Sequence, residues 1–146
     1  MIRVQSEDFD AGFEIEQLTR GKTAIGGVVS FIGLVRGDGV TAMTLEHYPG
    51  MTEQELAAIE SQANQRWNLE ASLIIHRYGK LLPGARIVLV VTASSHRADA
   101  FAANEFLVDW LKTKAPFWKL EETAQGERWV EAQSSDNDAA KRWVKS

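Results

Sequence analysis

Ile87-Val88-Leu89-Val90-Val91-Thr92-Ala93-Ser94-Ser95-His96-Arg97 decides the fold. The run from Ile87 to Ala93 is apolar or β-branched without alternation, the pattern of a strand covered on both faces. Ser94 or Ser95 then offers a side-chain oxygen to cap a helix. That helix runs to about Lys114, because Pro116 keeps the residue before it out of helical geometry. A buried strand feeding a long helix frames everything on either side.

Upstream, Leu73 to Tyr78 reads as a second strand, joined through a turn at Leu82-Pro83-Gly84-Ala85. Thr52 to Trp67 is a helix, since Leu56, Ile59, Ala63 and Trp67 recur on one face and Thr52 with Glu55 matches a capping box. Pro49-Gly50 breaks the chain before it. Thr41 to His47 alternates through Met43, Leu45 and His47 as a strand, entered from a turn at Gly37-Asp38-Gly39. Ala24 to Val35 predicts a buried strand in which Gly26-Gly27 permits a bulge or a close backbone approach. Asp10 to Arg20 predicts a short helix with Phe13 and Leu18 inward, and Ile2 to Gln5 an opening strand. Downstream, Trp118 to Glu122 and Arg128 to Ala132 form a hairpin around Gln125-Gly126, followed by a polar helix from Asn137 to Val144. Strands and helices in this order predict one α+β domain over residues 1–146. Its mixed or antiparallel sheet is packed by helices and carries a C-terminal hairpin.

Composition excludes several functions. The chain has 146 residues, 45% hydrophobic and 25% charged, with a formal net charge of −4. A chain of this length buries about 68–70% of its unfolded surface without staples. With no cysteine, disulfides, thiolate catalysis and zinc–thiolate sites are excluded. No run approaches the roughly 18 apolar residues of a membrane span, and the acidic start Met1 to Asp8 is no signal peptide. The acidic balance without a basic stripe argues against duplex nucleic acid. These features predict a cytoplasmic protein that meets neither membrane nor nucleic acid.

Against that acidic background, two cationic clusters stand out. Lys112, Lys114 and Lys119 fall within eight residues beside Pro116-Phe117-Trp118, where the backbone turns and the rings seek burial. Lys112 lies in the last helical turn, where a cation complements the helix dipole without further purpose. Lys114 has the same bland account. Lys119 alternates with Phe117 and Glu121 on a strand, so it stands among rings and near a second lysine. That setting predicts a lowered proton affinity suited to proton transfer or nucleophilic attack. The second cluster, His96-Arg97, sits where free amide groups at a helix start favour an anion, although Arg97 could simply pair with Asp99. Arg36 ends a strand before a glycine-rich turn, a usual place for binding residues and for ordinary surface arginines. Glu46 and His47 point to opposite faces and make a poor dyad. His47, His76 and His96 lack metal-ligand spacing, so no metal is expected.

Arg97 and Lys112 are fifteen residues apart on one helix, about 22 Å along its axis. A small ligand cannot touch both. If both clusters serve one ligand, a second copy of the chain must supply one of them.

The block Thr44-Leu45-Glu46-His47-Tyr48-Pro49-Gly50-Met51-Thr52 is joined by Ile75-His76-Arg77, Ser95-His96-Arg97 and the segment from Leu111 to Lys119. Together, from about Gly26 to Trp143, they resemble the large, catalytic subunit of molybdopterin synthase. The resemblance implies an α/β-hammerhead-like fold and sulfur transfer in molybdenum cofactor biosynthesis. Cyclic pyranopterin monophosphate would receive its dithiolene sulfur from a thiocarboxylate on the C-terminal glycine of a small ubiquitin-like subunit, with no cofactor. It further implies a central homodimer within a heterotetramer. Lys119 and Lys112 match the family's active-site lysines, and Arg36 its pocket arginine. His96 and Arg97 match the pair contributed by the neighbouring large subunit, while Leu34, Val35, Leu120 and Glu121 fall in its substrate-binding segments. Leu34 stands where some relatives carry a basic residue, Gln133 where an arginine can reach the pocket, and the Gly37 to Val40 loop is short. A non-catalytic anion-binding module or a scaffold for the small subunit remains the alternative reading.

Overall fold

The computed structural model describes residues 1–130, 138 and 141–144. The chain order is β1 (Ile2–Gln5), α1 (Ala11–Thr19), β2 (Gly27–Leu34), β3 (Val40–His47), α2 (Met51–Arg66), β4 (Ala71–Arg77), β5 (Gly79–Leu81), β6 (Arg86–Ser94), α3 (Arg97–Thr113), β7 (Phe117–Thr123) and β8 (Gly126–Val130). This is the expected α+β arrangement, with the strands in two sheets of four. One has the order β1-β4-β6-β2 and the other β5-β3-β7-β8. The first is mixed, since β1 runs parallel to β4 while β4–β6 and β6–β2 are antiparallel. The second is wholly antiparallel.

The unbroken apolar runs of β4 and β6 are explained by helices on both faces. Ile74, Val88 and Val90 meet Leu56, Ile59 and Ala63 of α2 and Phe106 and Leu107 of α3. Their neighbours Leu73, Ile75, Leu89 and Val91 meet Phe9 and Leu18 beneath α1. Ile74, Ile75, Leu89, Val90 and Val91 are fully buried, each worth about 1.5–3 kcal/mol relative to exposure. A third cluster of Val35, Met43, Leu45 and Leu81 lies where the second sheet meets the first.

Four local expectations are corrected. Strand β2 is not buried: it ends the sheet order among the described residues, and α1 packs mainly on β4 and β6. Val28 and Ile32, paired with Ala93 and Leu89, therefore stay exposed, as does Leu34. Phe13 points outward, and Glu14 takes the inward place instead, paired with Arg3. Helix α2 does not use Thr52 and Glu55. Its N-cap is Gly50 at φ 86°, whose amide donates to Glu53 Oε1 at 3.1 Å, while buried Thr52 donates its hydroxyl to the Tyr48 carbonyl at 2.7 Å. Neither Ser94 nor Ser95 caps α3, whose N-cap is His96. Ser94 Oγ donates to the Asn68 carbonyl and Ser95 Oγ to Glu70.

Gly26 does make the predicted close approach. A β-carbon there would collide with the Ser95 carbonyl, and the Gly26 amide donates to the Ser94 carbonyl at 2.9 Å. Helix α3 is tied to the sheet by buried Asn104, whose amide donates to the carbonyls of Val29 and Val90 at 3.1 and 3.0 Å. Asn137, Ala139 and Ala140 of the expected Asn137 to Val144 helix, and Gln133, lie outside the described residues.

Candidate active site

Where the two sheets diverge, the end of α3, the tail of β2 and the inner face of the β7–β8 hairpin enclose a cleft of about 1120 Å³. Strand alternation decides what enters it. Phe117, Lys119 and Glu121 of β7 share one face, and all three line the cleft. Trp118 faces away, its ring edge-on to Tyr48 at 4.6 Å. Lys112, in the last turn of α3, lines the same cleft, and so does Arg36 just beyond β2. Lys119 is half-buried, whereas Lys112, Lys114 and Arg36 are exposed, so partial desolvation applies to Lys119 alone. Glu121 is compensated by its cross-strand partner Arg128, whose Nε donates to Oε1 at 3.0 Å. Asp38 lines the cleft as well, so Arg36, Lys112, Lys119 and Arg128 outnumber the two carboxylates, and a net positive lining suits an anion.

The sequence candidates divide into two groups. Arg36, Lys112, Lys119, Leu34 and Glu121 converge on the cleft. Val35 and Leu120 do not line it. Val35 is buried under Met43, Leu45 and Leu81, with its amide and carbonyl both bonded to the turn at Gly84 and Ala85. Leu120 alternates onto the face of β7 away from Lys119. His96 and Arg97 are exposed at the far end of α3, outside the cleft. The alternative pairing of Arg97 with Asp99 does not form among the described residues. Asp99 instead accepts the Asn68 amide at 3.3 Å.

One cleft residue is absent from that sequence list. His76 is 5% exposed, lines the cleft beside the lysines and stacks on Phe117 at 3.7 Å and 15° from parallel. Its Nδ1 lies 2.9 Å from the Arg77 carbonyl. Burial holds the ring neutral, lowering its pKa to about 4; Lys119, His47 and Lys112 push the same way, and the Arg77 carbonyl opposes. The available signal is a polar residue two positions after Ile74, on the same face of a strand whose centre, Leu73 to Ile75, is apolar. His47 is occupied elsewhere, with Nδ1 3.1 Å from Thr52 Oγ1. Among the described residues no three His, Cys, Asp or Glu side chains gather as a metal site, and no helix is long and apolar enough to cross a membrane.

Fold and cleft together define an α+β domain whose cleft is lined by Arg36, Lys112 and Lys119. The family described as MoaE protein matches residues 4–114. A molybdopterin synthase catalytic subunit of Ralstonia nicotianae is 58% identical over 146 residues, covering 97% of this chain and 83% of the relative. A MoaE protein of Burkholderia ambifaria superposes with a TM-score of 0.85 at 49% identity, covering 100% of this chain and 99% of that one. The molybdopterin synthase of Staphylococcus aureus superposes at 0.80 with 32% identity, over 88% and 95% of the two chains. The chain belongs to the MoaE protein family.

Proposed function

We infer that the chain is a sulfurtransferase, the catalytic subunit of molybdopterin synthase. It moves sulfur from a small ubiquitin-like carrier to cyclic pyranopterin monophosphate in molybdenum cofactor biosynthesis. The observation that carries this is the convergence of Arg36, Lys112 and Lys119 on one cleft in a chain without cysteine. A protein that lacks its own sulfur nucleophile must receive sulfur from a partner. The cleft's volume of about 1120 Å³ exceeds the ~300–1,000 Å³ of ordinary small-ligand pockets, leaving room for a pterin and an inserted chain terminus together.

The residue roles follow from chemistry. Arg36, with His96 and Arg97 of a second copy, holds the phosphate, because guanidinium groups offer paired donors to its oxygens. Lys119, half-buried, polarises the thiocarboxylate carbonyl as its sulfur attacks a side-chain carbon of the pterin. The C–S bond forms as that carbon's C–O bond breaks and the oxygen leaves with a proton, and a second loaded carrier repeats the step for the second sulfur. Lys112 stabilises the negative charge that develops. Water then cleaves the carrier's carbonyl–sulfur bond and leaves a carboxylate on the carrier. Leu34 and Glu121 shape the wall, while Val35 and Leu120 support it from behind. The work is assigned to the cytoplasm, where a chain without cysteines needs no oxidising environment to fold.

The exposed strand β2 supports a homodimer with shared sites. Gly27, at its start, approaches Arg97, since a β-carbon there would lie 3.4 Å from the arginine Cα. Leu34, at its other end, precedes Arg36 by two residues and lines the cleft. A two-fold copy running antiparallel along β2 would bring one chain's Arg97 to the other's Arg36. A carrier at each outer cleft then completes a heterotetramer.

Reconstitution with a thiocarboxylated carrier and cyclic pyranopterin monophosphate tests the reading by the dithiolene product. Binding of either without product would favour the scaffold alternative. Mixing the inactive variants Arg97→Ala and Lys119→Ala should restore about a quarter of wild-type activity, because half the dimers are mixed and each keeps one intact site. No recovery would place both residues in one chain's site and overturn the sharing.

A further inference from the structure

The first sheet lays a short floor under the cleft. His76 of β4 pairs with Val88 of β6, and Val88 with Gly33 of β2, so the three form one row across the sheet. All three line the cleft. Val88 points to the face it shares with Ile74 and Val90 beneath α2 and α3, and strand alternation puts His76 and Gly33 on that face too. Two strand spacings make the row about 10 Å long. Its middle is apolar and its β2 end is bare: a β-carbon on Gly33 would lie 2.9 Å from Val88 Cγ1. The only polar side chain in the row is His76, at the other end. A flat slot of that length fits a fused heterocycle rather than a lone phosphate.

The hydrogen-bonding capacity of the His76 ring is fixed. The Arg77 carbonyl, 2.9 Å from Nδ1, can only accept, so Nδ1 carries the proton of the neutral ring. Stacking on Phe117 holds the ring plane. Among the described residues, no side-chain nitrogen or oxygen sealed from solvent lacks a hydrogen-bond partner. Nε2 has no such partner there, so it stays open to the cleft as a lone pair, and burial keeps it unprotonated. Lys119, which has an interaction of its own, makes no hydrogen bond to the ring. Asp38 and Glu121 also bring side-chain acceptors to the lining, but both are charged and stand off the row. Asp38 belongs to the exposed loop after β2, and Glu121 is bonded to Arg128.

We propose that His76 sets the orientation of the bound pterin: its Nε2 accepts a hydrogen bond from an N–H group on the edge of the heterocycle, which lies along the His76–Val88–Gly33 row with its phosphate toward Arg36. Arg36 follows Gly33 by three residues, so the ring and phosphate sites adjoin. Fused pterin rings carry N–H groups along their edge. A buried acceptor left without a donor is penalised, so a ring presenting only acceptors to His76 is rejected. A neutral acceptor makes this choice without cancelling the positive charge that the phosphate needs. The role rests on the reading of the pterin as substrate and does not depend on which group drives sulfur transfer.

Long-range nitrogen–proton correlation spectra of the wild-type protein near neutral pH should show Nδ1 protonated and Nε2 bare. Saturating cyclic pyranopterin monophosphate should move the Nε2 resonance upfield, the direction of an accepted hydrogen bond. Inorganic phosphate, and the carrier in its carboxylate form, should leave it in place. A protonated Nε2, a resonance indifferent to the pterin, or one moved as far by phosphate or carrier overturns the proposal. Calorimetry then separates recognition from folding. His76→Asn keeps an N–H for the Arg77 carbonyl but falls short of the cleft, and His76→Phe keeps the stack on Phe117 but has no acceptor. Each should weaken pterin binding by about tenfold or more while changing the affinity for inorganic phosphate less than about twofold. Wild-type pterin affinity in either variant, or equal weakening of both ligands, marks a merely structural histidine and sinks the idea. Should neither variant fold, the wild-type spectra decide it. Pterin binding with the expected shift but no dithiolene would count against the sulfur-transfer reading alone, and no pterin binding at all would remove both.

Discussion

Gly26 lies against Ser95 with no room for a side chain: its amide donates to the neighbouring Ser94 carbonyl at 2.9 Å, and a β-carbon would overlap the Ser95 carbonyl oxygen. The contact presses the start of β2 onto the turn that launches α3, and so fixes where His96 and Arg97 stand. The obstacle is backbone, which cannot swing aside. Gly26→Ala should therefore cost roughly 2–4 kcal/mol in chemical denaturation. In the surviving folded protein it should raise KM for the phosphate-bearing substrate more than it lowers kcat.

Stability should depend on pH through His76. Its folded pKa is lowered from 6.5 to about 4, chiefly by burial, so the unfolded chain binds the extra proton between those values. Stability then rises with pH across that window and is lost as pH falls from about 6.5 toward 4. The shift corresponds to roughly 3 kcal/mol. Denaturation midpoints from pH 4 to 7 should show this slope, and His76→Phe should flatten it. The exposed carboxylate of Asp8, with its pKa lowered by Arg86, acts at more acid pH.

Lys119→Ala should leave the complex with the carrier intact but lower turnover by about 10²–10³-fold, the usual loss when a preorganised charge is removed from a reacting carbonyl. Lys112→Ala should cost less, because its ammonium is exposed. Carrier affinity measured by calorimetry, alongside single-turnover dithiolene formation, separates the two effects. Equal turnover in Lys119→Ala and wild type would remove Lys119 from the mechanism.

Ile32 is 39% exposed on the outer face of β2. Ile32→Glu should leave the monomer folded, since the side chain already meets solvent, but should shift sedimentation from dimer to monomer and abolish most activity. A dimeric, active Ile32→Glu protein would show that β2 is not the shared edge.

The parts legible in the sequence are those with a local signal. Strand β6 announces itself by an unbroken apolar run, α2 by Leu56, Ile59 and Ala63 at helical spacing, and the α3 end by Pro116. Lys119 stands out by its alternation with Phe117 beside a turn, whereas Lys112 and Arg36 are singled out by the family resemblance, since the last turn of a helix or the end of a strand accommodates an ordinary exposed cation equally well. What escaped depends on distant partners. Strand β5 is only three residues long and exists because β3 pairs with it. Phe13 and Glu14 exchange expected places because Arg3, from another element, receives the buried carboxylate. His76 gives only a polar interruption in β4; its cleft position depends on Phe117, more than forty residues later in the chain. The exposure of β2 is illegible for the same reason, since its apolar composition matches that of a covered strand.

That strand has a price for a lone chain. Val28, Ile32 and Leu34 lie beside a strand edge that pairs with no further strand among the described residues, a template on which any extended polypeptide could aggregate. Pairing with a second copy would silence that hazard with the same surface that completes the catalytic cleft. Freshly synthesised chains at low abundance would then be both inert and adhesive, and solubility and competence would rise together with expression.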